Sequence, residues 1–301
     1  MPVQPLVSII CTAMNHEKYV EQALRSFMDQ SYPEIEILFV DNVSQDATFA
    51  IAEKVLSRGS RPYQAFKRER SYNLPENFNF LIGKAKGKYL SFISGDDWME
   101  PGCIAAMVAL YEQQPEAGLM YTNGWYFYED KGTYEEAATP RFISGKIFDH
   151  VFLHGVLFPV GVMVRKTVFD EIGLYDESLV VEDYDLWLRV AEKYPIAYSA
   201  TPSLYYRKHS KSMTLTGANK IENYLRIAEK YKTHPLYEKV CRNFRQHTMY
   251  RYFLDGDMKQ ATRMYMRDFR PERFYLSVGV KFYLLRPLSR LVSSIQSLFK
   301  K

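Results

Sequence analysis

The sequence predicts an α/β fold: a mostly parallel sheet flanked by helices, followed by a helical C-terminal extension. Three observations carry this. Short apolar runs alternate with amphipathic stretches through the first two-thirds of the 301 residues, as repeated strand–helix units do. Several of these runs are continuously apolar, the mark of strands buried on both faces of a parallel sheet. From about residue 219 onward, only helical periodicity remains. Parallel strands joined by right-handed crossovers bring their carboxyl ends to one edge, and ligands sit beyond that edge.

Leu6-Val-Ser-Ile-Ile-Cys-Thr12 is the first such strand. Asn15-His-Glu-Lys-Tyr-Val20 opens a helix running to about Asp29, with Val20, Leu24, Phe27 and Met28 apolar. Pro33 breaks it. The strand Ile35–Val40 ends in Asp41-Asn-Val-Ser-Gln-Asp46, and a helix covers roughly 46–57. Pro62–Lys67 is a weaker strand and Pro75–Lys84 a helix. Tyr89–Ile93 is a buried strand ending in Ser94-Gly-Asp-Asp97, where Gly95 marks a turn or a close backbone approach. A helix follows Pro101 to about Gln114. Next come the aromatic, strand-like run Gly118–Tyr128, a polar irregular stretch over 129–145 and a short strand, Gly161–Arg165. Val168–Ile172 is a helical turn stopped by Gly173. The stretch from Val180 opens a helix with Leu186, Trp187 and Val190 toward the core, and Ile196–Ala200 and Ser203–Arg207 read as paired strands. Helices are expected over 221–231, 236–253 and 258–269. A last amphipathic helix follows Pro287, with Leu288, Leu291, Val292, Ile295, Leu298 and Phe299 in one stripe. The chain is thus read as two parts, 1–214 and 215–301.

The composition, 47% hydrophobic and 25% charged, is that of an ordinary globular protein with a sizeable core. Its 24 Tyr suit a groove for flat or polyhydroxylated ligands. Cys11, Cys103 and Cys241 follow no metal or disulfide spacing and fit a reducing compartment. The start, Met-Pro-Val-Gln-Pro, has neither the basic nor the apolar region of a signal peptide. No uncharged apolar stretch reaches the roughly 18 residues of a membrane span, so a cytoplasmic location is expected. The net charge of +4 hides an asymmetry: residues 215–301 hold 18 Lys/Arg against 7 Asp/Glu, a net of +11, and the body is acidic.

Acidic residues mark the predicted strand ends. Asp96 and Asp97 are adjacent, and two ionised carboxylates so placed repel unless a cation or a donor lies near. A divalent ion removes that penalty, and hard oxygen ligands suit Mg²⁺ or Mn²⁺. An Asp-rich turn with Asp97 capping the next helix is the alternative. Asp41 also closes a strand, so all three can converge on one crevice. Glu182 and Asp183 open a late helix, where capping is the default role, and His209 follows the last strand.

Taken in order, these motifs resemble the inverting glycosyltransferases of family 2, which have the nucleotide-sugar-binding GT-A fold. The likeness runs from Val7-Ser-Ile-Ile-Cys-Thr-Ala-Met-Asn-His-Glu-Lys-Tyr-Val20 through Asp41-Asn-Val-Ser-Gln-Asp-Ala-Thr48 and Asn77-Phe-Asn79 to Ser94-Gly-Asp-Asp97 at the D-x-D position. It continues through Glu182-Asp-Tyr-Asp-Leu-Trp-Leu-Arg189 and ends at Tyr206-Arg-Lys-His-Ser-Lys-Ser-Met213, covering about residues 5–214. The resemblance implies a UDP-, GDP- or dTDP-sugar donor and a glycan or lipid-linked acceptor. It implies that Thr12, Asn15, Asp41 and Asn79 contact the nucleotide sugar, with Asp41 accepting from a ring N–H of the base. Asp96 would ligate the metal at the diphosphate, with Asp97 in support and His209 reaching the same place. Arg207 would add charge there. Asp183 would be the base that deprotonates the acceptor hydroxyl for in-line, inverting attack; Glu182 and Asp185 are its near neighbours. The sequence departs from the family's pattern at Asn42, where a second acid is common, at Val43, where glycine is common, and at Ser94, which replaces the first aspartate of D-x-D.

Other classes fit less well. A nicotinamide dehydrogenase needs G-x-G-x-x-G after its first strand, and Thr12–Tyr19 contains no glycine. A nucleotidyltransferase needs a Gly- and Arg-rich phosphate loop near the N-terminus, which is missing. The acidic body carries no recognised nucleic-acid motif, so no nucleic acid is expected. The standing alternative is a non-catalytic sugar-nucleotide or glycan-binding relative serving as a scaffold, which Asn42 and Ser94 favour. Family relatives often build cell-surface polysaccharide or lipopolysaccharide from lipid-linked glycans. The basic tail, above all residues 286–301, is therefore expected to hold the protein peripherally at the anionic inner face of the cell membrane.

Overall fold

A computed structural model describes residues 4–137, 143–154, 160–210, 221–254 and 256–268. The chain divides into two compact units, Met1–Leu215 and Thr216–Lys301. In the first, β1 (Val7–Ala13) and β2 (Ile35–Asp41) are buried at every residue. β3 (Tyr63–Lys67) and β4 (Tyr89–Ser94) complete a parallel set in the order β3-β2-β1-β4. The chain moves outward from β1 to β3, then returns to place β4 on the other side of β1. The switch point therefore lies between the carboxyl ends of β1 and β4, where the two loops diverge and leave a crevice. Helices α1 (Val20–Met28), α2 (Thr48–Arg58) and α3 (Leu74–Lys84) make the crossovers. α1 turns Val20, Ala23, Leu24 and Phe27 inward. α3 starts on a capping box, in which the Asn73 side chain accepts from the Glu76 N–H and the Glu76 carboxylate accepts from the Asn73 N–H, each at 2.8 Å.

The rest of the sheet is mixed. β5 (Trp98–Met99), β6 (Leu119–Tyr128), β7 (Thr133–Glu136), β8 (Met163–Arg165) and β9 (Ile196–Lys208) extend it in the order β4-β8-β6-β9-β5, with β7 on β6. β8 is antiparallel to both β4 and β6, whereas β6 and β9 run parallel. Helices α4 (Cys103–Gln113), α5 (Phe148–His154), α6 (Val168–Ile172) and α7 (Glu182–Lys193) complete the unit. α7 buries Tyr184, Leu186, Trp187, Leu188 and Val190. All three cysteines are buried and free.

Three expectations are corrected. Residues 196–200 and 203–207 are one strand rather than a pair. Both lie along β6, and Pro202 falls in a register shift opposite Thr122–Gly124, where its missing N–H costs the ladder nothing. Part of the stretch 129–145 is a hairpin, because β7 pairs with Trp125–Tyr128 after a turn at Gly132, φ 63°. The first helix begins at Val20, not Asn15, because Asn15 sits in the left-handed region at φ 58°, which asparagine tolerates and a helix does not.

Val43 also lies there, at φ 62°, a costly place for a β-branched side chain. Val43→Gly is expected to stabilise the fold by about 1 kcal/mol, read as a rise in Tm of about 2–4 °C. An unchanged or lower Tm would mean that this loop stores no such strain.

Among the described residues, the second unit holds α8 (Ile221–Glu229), α9 (Tyr237–Leu254) and α10 (Met258–Asp268). Met249, Phe253 and Ala261 form a small core with Tyr252, Met258 and Met264 packed on it. The expected helix after Pro287 lies outside the described residues. No described helix is long and apolar enough to cross a membrane.

Candidate active site

In register, Ala13 stands beside Asp41 and Thr12 beside Ser94, so the ends of β2, β1 and β4 are level and their loops meet. The Gly95 N–H donates to the Thr12 carbonyl at 2.8 Å. A Cβ at Gly95 would come within 2.9 Å of the Ala13 Cβ, so only glycine lets the two loops touch. The Asn15 N–H donates to Ser44 Oγ, and its Oδ1 accepts from the Gln45 N–H, both at 2.9 Å, which ties the β1 loop to the β2 loop. A cavity of about 400 Å³ opens at this edge. Thr12, His16, Asn42, Tyr72, Ser94 and Asp97 line it from the sheet side, and Tyr175, Leu179, Glu182, Asp183 and Trp187 from the segment around the start of α7.

Asp41 is fully buried. Its Oδ2 accepts from the Ser44 N–H at 3.1 Å, and its Oδ1 meets no donor. Asn42 donates to the Tyr72 carbonyl at 2.8 Å and accepts the Tyr72 N–H at 3.0 Å. An acid at this position could not make both bonds, so the departure from the family pattern fixes the Tyr72 loop.

Asp96 and Asp97 are both buried, and their surroundings push the two carboxyls in opposite directions. Asp97 Oδ1 accepts the Arg207 backbone N–H at 2.9 Å. Burial, with the Asp96 charge beside it, pushes the Asp97 carboxyl well above the ordinary range. For Asp96, burial also favours the neutral form, but the hydrogen bond with His209 and the nearby His16 outweigh it and hold the carboxyl below the ordinary range. Nε2 of His209 lies 3.0 Å from Asp96 Oδ2, and Nε2 of His16 lies 3.8 Å from the same oxygen. Asp96 Oδ1 is buried and meets no donor. Among the described residues, no set of three or more His, Cys, Asp or Glu side chains is placed to hold a metal alone. Mg²⁺-type sites at phosphates use one or two carboxylates and draw their other ligands from substrate and water. Asp96 with its spare oxygen, beside His209, fits a divalent ion shared with a diphosphate and does not fit an all-protein cage.

Two expected ligands are corrected. The guanidinium of Arg207, 6% exposed, donates through Nε to the Asp96 carbonyl at 2.9 Å and through Nη2 to Gln22 Oε1 at 2.7 Å. It also lies over the rings of Trp98, Tyr19 and Phe127, 4.6, 4.7 and 5.3 Å from their centroids. Arg207 therefore braces the Asp96–Asp97 turn; it does not line the cavity, and neither do Asn15, Asp41, Asn79, Asp96 or His209. Asn79 spends its amide on Tyr175 and Glu177: it donates to the Tyr175 carbonyl at 3.0 Å and to Glu177 Oε1 at 2.9 Å, and it accepts the Tyr175 N–H at 3.0 Å. It pins the segment leading to α7.

The carboxylates opening α7 separate as well. Asp185 is buried and accepts from Arg189 Nε at 2.8 Å, which leaves Glu182 and Asp183 on the cavity wall. Burial and the charges of those two raise the Tyr175 phenol well above its usual range. His16, Asn77 and Trp187 also line the cavity; they stand within the quoted motifs, but none was expected at the site, and Trp187 was expected only in the core.

Solved structures share the fold. S. aureus TarS 1–349 in complex with UDP-GlcNAc superposes with TM-score 0.60 over 96% of this chain and 87% of that one, at 16% identity. The mannosyltransferase PcManGT from Pyrobaculum calidifontis, in complex with GDP-Man and Mn²⁺, does so with TM-score 0.61 over 100% and 89%, at 13% identity. At such identities the likeness concerns the fold, which is GT-A. An uncharacterised glycosyltransferase of Rickettsia typhi is 28% identical over 225 residues, 73% of this chain and 69% of the relative. Residues 8–173 match the family model for Glycosyl transferase family 2, more than half of the chain. The protein belongs to that family of glycosyltransferases.

Proposed function

We propose that the protein transfers a sugar from a nucleotide-diphosphate sugar to a hydroxyl of a glycan or lipid-linked acceptor, with inversion, in the synthesis of a cell-surface polysaccharide or lipopolysaccharide. One observation carries this reading: a single cavity is lined both by the strand-end residues Thr12, Ser94 and Asp97 and by the helix-start carboxylates Glu182 and Asp183. The UDP-GlcNAc and the GDP-Man with Mn²⁺ held by two proteins of the same fold support a donor of that class.

Thr12, Asn15 and Asp41 form the nucleoside end. The free Asp41 Oδ1 suits a ring N–H of uracil, thymine or guanine. Asp96 and His209 hold Mg²⁺ or Mn²⁺, which when bound neutralises charge on the diphosphate leaving group. Asp97 and Arg207 keep the Asp96 turn in place. Asp183 takes the proton of the acceptor hydroxyl. That oxygen attacks the anomeric carbon opposite the diphosphate, the bond to the diphosphate oxygen breaks, and the configuration inverts.

The test is a panel of UDP-, GDP- and dTDP-sugars with Mg²⁺ or Mn²⁺, followed by NMR of the product's anomeric centre. An inverted linkage is expected. Retention would reject the mechanism, and calorimetric binding without turnover of any donor would favour the scaffold reading.

The basic second unit supports attachment to an anionic membrane surface, at roughly 1 kcal/mol per basic residue near it. Deleting residues 286–301 is expected to release the protein from anionic vesicles in sedimentation. Undiminished binding overturns that role.

A further inference from the structure

His16 has no part in the mechanism above, yet it stands where the cavity meets Asp96. It lines the cavity, and its Nε2 lies 3.8 Å from Asp96 Oδ2. Nε2 of His209 lies 3.0 Å from the same oxygen, but the His209 side chain is only 3% exposed, against 16% for His16. The two imidazoles therefore differ. His209 is enclosed with the carboxylate, and His16 forms the cavity wall beside it.

The backbone fixes where this ring stands. The His16 N–H donates to Thr48 Oγ1 at 2.8 Å, and the His16 carbonyl accepts from the Tyr19 and Val20 N–H groups at 2.9 Å each. Its neighbours are tied to the β2 loop too: Asn15 as described, and Glu17, whose N–H donates to Asp46 Oδ2 and whose Oε2 accepts from the Ala47 N–H, both at 3.2 Å. Such anchoring holds a side chain in place before any ligand arrives. The ring's two nitrogens are unlike. Nδ1 is buried without a partner beside Gly95, where an added Cβ would come within 3.4 Å of it. Nε2 is not so enclosed, and at 3.8 Å from Asp96 Oδ2 it is beyond hydrogen-bond reach of the carboxylate.

A neutral imidazole carries one N–H. The Asp96 charge favours it on Nε2, which sets a donor on the wall with no acceptor in reach among the described residues. On the glycosyltransferase reading, the donor's diphosphate comes to Asp96, and its oxygens are the acceptors this N–H lacks. Ser94 stands at the first position of D-x-D, so the ion has one carboxylate fewer, and a group that grips the diphosphate itself supplies part of the hold. His16, Asp96 and His209 are not placed together to hold an ion. Resting on that reading, we propose that His16 is a catalytic residue that donates from Nε2–H to the diphosphate leaving group. A fixed donor of this kind acts most strongly as charge builds on the leaving oxygens.

The test uses the full chain with Mn²⁺, and UDP, GDP and dTDP are each titrated beside their own nucleosides. His16→Leu keeps the bulk and has no donor. It is expected to weaken the preferred diphosphate about tenfold or more, the loss of one hydrogen bond to a charged group, and to leave its nucleoside within about twofold. His16→Gln retains an N–H donor and is expected to recover most of the loss. In turnover, His16→Leu is expected to lower kcat by about 10²-fold, beyond its effect on donor binding. If His16→Leu does not fold, His16→Ala takes its place. Nitrogen modulation in the electron spin echo of Mn²⁺ bound with the diphosphate is expected to be the same in His16→Leu as in wild type. Its loss would make His16 a ligand of the ion and overturn the proposal. Equal weakening of diphosphate and nucleoside, which a merely structural role gives, overturns it too, as does unchanged diphosphate binding and kcat in His16→Leu. Each of these leaves the glycosyltransferase reading intact, whereas failure of wild type to bind any diphosphate or donor removes the two together.

Discussion

Asp183→Asn is expected to lower kcat by about 10²–10⁴-fold, the usual contribution of a positioned general base, while donor affinity by calorimetry stays within about twofold because the amide preserves shape and adds no bulk. The side chain lines the cavity in the first turn of α7, and its Oδ1 accepts the Tyr184 N–H at 2.7 Å, which directs the carboxylate without burying it. Two controls assign the effect. Asp185→Asn alters a buried carboxylate held by Arg189, so its cost should appear in unfolding rather than in kcat. Glu182→Gln alters the other carboxylate on the wall. If Glu182→Gln abolishes turnover while Asp183→Asn leaves it intact, the base is Glu182. If neither lowers kcat, proton removal at α7 is the wrong mechanism.

Where Asp41, Asp96 and Asp183 sit was legible in the sequence, because the motifs that carry them are local. Asp41, Asp96 and Asp183 each follow or open a regular element, and an α/β sheet of this kind brings such ends to one edge. Sequence spacing was silent on what each side chain touches. Arg207 looked like a spare cation beside a diphosphate, yet three aromatic rings from α1's entry, β5 and β6 lie against it, and all three, Tyr19, Trp98 and Phe127, are distant in sequence. Asn79 belongs to a motif, but its partners Tyr175 and Glu177 lie nearly 100 residues on. The three carboxylates of α7's first turn were equivalent by position; burial alone separates Asp185 from the others. The mixed half of the sheet was obscured for a similar reason. β9 is a single strand only because β6 can shift register opposite Pro202, a tertiary accommodation that leaves no periodicity to read.

Arg189→Met is expected to destabilise the protein by about 3–5 kcal/mol, the cost of removing one partner from a buried ion pair. Asp185 is 1% exposed on its side chain and Arg189 17%, so little solvent is at hand to replace the guanidinium. The loss extends beyond the pair. Arg189 also donates to the carbonyls of Ile172 at 2.7 Å and of Gly173 and Leu174 at 3.0 Å, which holds the segment leading to Tyr175 and the cavity wall. Arg189→Lys keeps the charge but not the fork of donors, so its cost should fall between wild type and Arg189→Met. The double variant Asp185→Leu with Arg189→Met removes both charges. Because apolar replacement of a whole buried pair is often near neutral, it should recover most of the loss, apart from what the three carbonyls contribute. Urea unfolding of wild type, Asp185→Leu, Arg189→Met and the double variant gives the coupling energy directly. A loss below about 1 kcal/mol in Arg189→Met, or no recovery in the double variant, would mean that packing of α7 rather than this pair sets the carboxylate geometry on which Asp183 depends.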